Sequence, residues 1–144
     1  MTPTLLGRWE TRFFLFAILG GIISLVVSLV LSGFKTPLVL TPFAVLGYVF
    51  LFGLVWDAIY QNVLYSRWDR DWPTIFQVLA GIVEGALVWL LIHYIGLPGA
   101  PSSALPLSIF LIHYGSIWLS IFVVTQGPLR IALPRWRFRG GEWF

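Results

Sequence analysis

Cysteine is absent from this 144-residue chain. Disulfides, thiolate metal sites and cysteine nucleophiles are thereby excluded. Two histidines and no cysteine leave a structural zinc site without its usual ligands. Charge is scarce as well: 10% of residues are charged, against about 25% in soluble domains. The chain also lacks a P-loop, a dinucleotide fingerprint, an HExxH motif and a serine-hydrolase elbow, so it carries no recognisable catalytic machinery.

Apolar residues take up that space. They make up 58% of the chain, and the mean hydropathy is +0.88. They gather into four runs, at approximately 13–33, 40–61, 73–95 and 105–126. Each is near the ~20 residues that a helix needs to cross ~30 Å of hydrocarbon. Helices are required because lipid cannot satisfy exposed backbone groups, and continuous apolar runs lack the alternation of a membrane barrel. The run from Phe13 to Ser32 is longer than the apolar core of a cleaved signal and is expected to stay as a membrane anchor. Short connections favour antiparallel neighbours. The sequence therefore predicts an all-α integral membrane protein: one four-transmembrane-helix antiparallel bundle over 1–144, with a basic aromatic tail at 127–144.

The net charge of +3 is not read as a nucleic-acid signal, because the basic residues cluster at the ends of apolar runs. Arg8 and Arg12 precede the first run, and Arg67 and Arg70 lie between the second and third. Arg130, Arg135, Arg137 and Arg139 follow the fourth, and Lys35 alone falls on the other side. The excess of positive charge places both termini in the cytoplasm of a multi-pass cell-membrane protein. Arg67, Trp68, Arg70, Arg135, Trp136, Arg137 and Arg139 are expected to act as interfacial anchors against membrane lipids.

Polar residues inside the runs are the candidates for function. Glu84 is eleven residues into the third run, about 16 Å deep by helical rise, where a carboxylate is costly and needs a partner. Ser24 and Ser116 fall at a similar level, with His113 one turn away. Gly20, Ser24 and Ser28 recur four apart, as do Ser116 and Ser120, giving small or polar stripes that let helices approach. Glu84, Ser24, His113, Ser116 and Ser120 are thus expected to form a shared polar centre. Asp57, Gln61 and Gln77 are secondary candidates. Asp57 is expected to pair with Arg67 or Arg70, or to open a path to Glu84. That path is about 10 Å long by residue counting, so water or another polar group must bridge it.

Three functional classes follow. The first is a membrane accessory or scaffold subunit that engages itself, as a homo-oligomer, or another integral membrane protein. The second is an oligomeric proton-coupled transporter or channel using Glu84. The third is a haem- or chlorophyll-type pigment-binding protein, raised by His93 and His113 in the similar strings Leu91-Ile92-His93-Tyr94 and Leu111-Ile112-His113-Tyr114. The depths of the two histidines disagree, and no cofactor is expected.

Overall fold

The computed structural model describes residues 4–32, 40–66 and 73–143. These form helices, with no strand among the described residues. A first rod consists of α1 (Leu5–Leu15), a single π turn (Phe16–Gly20) and α2 (Gly21–Ser32). The second rod is α3 (Thr41–Ser66) and the third α4 (Thr74–Tyr94). A 3₁₀ turn (Ser102–Ala104) leads to the fourth, α5 (Leu107–Gln126), followed by two short helices, α6 (Pro128–Ala132) and α7 (Pro134–Phe138). All four rods are long and apolar enough to cross a membrane, and the protein is an all-helical, multi-pass membrane protein.

The first rod begins at Leu5 rather than near Phe13, so Arg8 and Arg12 lie within it. Thr4 starts the helix, its hydroxyl accepting from the Gly7 amide at 3.1 Å, which satisfies one of the exposed amides of a first turn. The first rod packs on the second and fourth, and the third packs on the same two.

The inward residues follow helical spacing and change character along each rod. On α3 the buried positions include Thr41, Val45, Val49, Gly53, Asp57 and Gln61, each four apart, with Pro42 and Leu64 beside them. On α4 they are Gly81, Glu84, Gly85, Val88 and Ile92. Val45, Val49, Val88 and Ile92 join Phe16 and Phe110 in an apolar core. Beyond it, on the same faces, come the small and ionisable residues, and these set the position of the candidate site.

The C-terminal tail folds back on α1. Pro128 and Pro134 occupy the first turns of α6 and α7, where a missing amide costs nothing. Leu129 and Trp136 bury against Leu15. The Thr4 amide donates to Gly140 O at 3.0 Å, and the Thr11 hydroxyl donates to Gly141 O at 3.0 Å. The Trp136 indole donates to Thr11 Oγ1 at 2.8 Å, and the Trp143 amide to Glu10 Oε2 at 2.7 Å. Gly140 and Gly141 have φ of 66° and 98°, a region open to glycine. A side chain on Gly7 would collide with the Gly140 carbonyl. Trp136, expected as an interfacial anchor, is buried against α1, its indole turned toward the Thr11 hydroxyl. Arg135, Arg137 and Arg139 are exposed. Arg67, Trp68 and Arg70 lie outside the described residues.

Candidate functional site

Arg12 joins three rods. Its Nε donates to Asp57 Oδ2 at 2.7 Å and its Nη2 to Asp57 Oδ1 at 3.2 Å, while Nη1 donates to Glu84 Oε1 at 3.0 Å. The two bonds to Asp57 are the paired fork that a planar guanidinium offers a carboxylate. The Arg12 side chain is 14% exposed, and those of Asp57 and Glu84 are 8% and 7% exposed. Acids this deep are tolerable because a cation and its N–H groups face them. Gly53 makes the approach feasible: a Cβ there would collide with Arg12 Nη1 and lie 2.8 Å from Glu84 Oε1. The Phe16 ring, one turn along the rod, has its centroid 5.5 Å from Arg12 Cζ, within cation–π range.

A second polar contact lies apart from this cluster. Ser24 Oγ and His113 Nε2 are hydrogen-bonded at 2.8 Å, and both residues are buried. His113 Nδ1 is buried with no hydrogen-bond partner among the described residues. His93 turns to its own helix, where Nδ1 bonds Trp89 O at 3.1 Å and the ring lies 4.1 Å from that of Trp89. The two histidines are thus engaged by different neighbours.

The remaining candidates divide. Gln77 Oε1 accepts from Gln126 Nε2 at 2.8 Å, tying α4 to α5. Gln61 is buried. Ser116 is exposed and Ser120 half-buried, so Ser116 does not share an interior site with Ser24 and His113. Asp57 meets Arg12, on the first rod, while Arg67 and Arg70 lie outside the described residues.

Beside the Arg12 cluster is a cavity of about 220 Å³. Its charged lining is Arg8, Arg12, Asp57, Glu84 and Arg130, and its apolar wall includes Phe16, Ile117 and Phe122. Gly140, Gly141 and Trp136 of the tail also line it. Arg8 interacts electrostatically with Asp57 and Arg12. Given the ~30 Å³ share of one liquid water, the cavity has room for about seven. No group of three His, Cys, Asp or Glu side chains suited to a metal ion occurs among the described residues.

The residues that sequence reasoning missed are Arg12, Gly53, Gln126 and Arg130. Arg12 had a usable signal: two acids inside apolar runs require a cation, and Arg12 adjoins the first run. Gly53 lies four residues before Asp57 on the same face. Gln126 and Arg130, at the end of the fourth run, had no signal beyond their polarity. No family model, curated protein or solved structure matches this chain.

Proposed function

We propose that the protein is a small accessory or scaffold subunit of the cell membrane, an antiparallel four-helix bundle with both termini cytoplasmic that engages another integral membrane protein or a second copy of itself. The observation that carries this reading is the Arg12 contact to Asp57 and Glu84. Asp57 and Glu84 have their counter-charge within the same chain. The cluster then acts as a lock on the fold, and recognition falls to the outer helix faces. Those faces carry large apolar residues such as Ile22 and Val26 on α2, Leu51 and Val55 on α3, and Ile82 and Val83 on α4.

The antiparallel arrangement is supported by contacts between ends. Thr4, before α1, bonds Gly140 after α7. Arg12, early in the first rod, bonds Asp57, late in the second. Tyr48, early in the second, donates to Pro98 O in the connection after the third, at 2.7 Å. The orientation is supported by the arginines, which fall at the termini and in the 67–70 segment.

Purification in mild detergent tests the assembly role. A stoichiometric membrane partner or a defined homo-oligomer is the expected result, and a strictly monomeric, partner-free protein counts against it. The cavity supports a second reading, since it reaches Glu84: a proton-coupled transporter or channel. In reconstituted liposomes, Glu84→Gln should then abolish the pH dependence of transport. Unchanged transport with unchanged pH dependence rejects that reading.

A further inference from the structure

Arginines outnumber acids in the lining of the cavity beside Arg12. Three guanidinium groups, of Arg8, Arg12 and Arg130, line it against two carboxylates, of Asp57 and Glu84. Asp57 accepts from Arg12 on both oxygens, and Glu84 on Oε1, so the acids are engaged from within. A cation entering here would meet acids already bonded to Arg12, whereas an anion would meet the arginine donors of the lining.

Arg130 supplies the second observation. Its Nε is buried and has no hydrogen-bond partner among the described residues, although the side chain lines the cavity. A buried donor without an acceptor is costly, so an acceptor delivered by a ligand is favoured there. The arginine fork matches the spacing of phosphate or carboxylate oxygens. Room for about seven waters suits a headgroup-sized ion with some hydration better than a whole lipid.

We infer that this cavity binds a phosphate-class oxyanion, with Arg130 as its principal donor. The ion is either free phosphate or the headgroup of an anionic lipid whose hydrocarbon leaves along the apolar wall. The site does not depend on the assembly role: a monomer and an oligomer contain the same residues.

Calorimetry on the full chain in a neutral detergent tests this with two probes, inorganic phosphate and short-chain phosphatidic acid. Arg130→Gln should weaken binding by about tenfold or more, the loss expected for one charge-assisted contact. Arg135→Gln, on the exposed face of α7, should change it by less than about twofold. Binding of phosphatidic acid alone, lost with Arg130, identifies a lipid headgroup. Competition between the probes, lost with Arg130, identifies a site that also takes the free ion. Binding of neither probe overturns the inference, as does an equal loss in the two variants. Should Arg130→Gln fail to fold, the wild-type protein decides. Phosphate, or short-chain phosphatidic acid against short-chain phosphatidylcholine, must raise its unfolding temperature with a saturable concentration dependence, unlike the unsaturating rise that an excluded salt gives, and no saturable rise with either probe overturns the site.

Discussion

Counting helical rise leaves Asp57 and Glu84 about 10 Å apart in depth, a gap for water or another polar group to bridge. The group between them is Arg12, reaching from a different rod with three of its N–H donors. Removing it should be far more damaging than removing all three charges together. Arg12→Gln leaves two buried acids without a cation, an expected cost of about 3–5 kcal/mol. Joint replacement of Arg12 by Met, Asp57 by Leu and Glu84 by Met should be near neutral, because well-packed apolar groups replace a buried ion cluster at little cost. Unfolding in mixed detergent micelles measures both, and an Arg12→Gln protein as stable as wild type defeats the lock. Glu84 was conspicuous in the sequence because an acid interrupts an apolar run. Arg12 was not, since hydropathy begins the span at Phe13 and a flanking arginine reads as an orientation signal. The helix instead starts at Leu5, which carries Arg12 inside.

At the scale of the element, the π turn Phe16–Gly20 decides which residues of the first rod share a face. Over the twelve residues from Arg12 to Ser24, a regular helix at ~100° per residue ends about 120° away from its start. A π turn absorbs one residue, and the same count then ends only about 20° away. Arg12 and Ser24 can therefore both point inward, one to Asp57 and the other to His113. Deleting Ala17, which is exposed within the turn, should convert the turn to regular helix and preserve both contacts. Inserting one alanine beside Ala17 should swing α2 by about 100°, away from His113. Thermal unfolding in detergent should thus rank the deletion near wild type and the insertion well below. Reversal of that order would show that the turn does not set the register. Nothing in the local sequence announces the extra residue. No proline breaks the helix there, and the apolar run is as continuous through the π turn as through α2. The tail was hidden for a related reason. Alternating basic and aromatic residues describe a surface strip equally well whichever ring faces inward, and only the Thr11 hydroxyl and the close approach at Gly7 select Trp136.

For the molecule as a whole, four apolar runs made the helical membrane class legible, since hydrocarbon leaves the backbone few alternatives. Sidedness is a separate matter, and charge is the property that fixes it. The second rod is 26 residues long, about 39 Å of helix against about 30 Å of hydrocarbon. The surplus must tilt or project into the headgroups, and arginines at a projecting end favour the cytoplasmic leaflet, where anionic lipids concentrate. Because the chain contains no cysteine, any single introduced thiol reports its own side without background. Ser103, in the connection between α4 and α5, and Ser66 and Arg139, at the opposite ends of the rods, are exposed. A membrane-impermeant maleimide applied to intact cells should label Ser103→Cys. It should reach Ser66→Cys and Arg139→Cys only after permeabilisation. The reverse pattern would invert the protein in the membrane. Labelling of Ser66 and Arg139 from opposite sides would break the antiparallel arrangement itself, because those two positions follow the second and fourth rods and must emerge together if each rod crosses once.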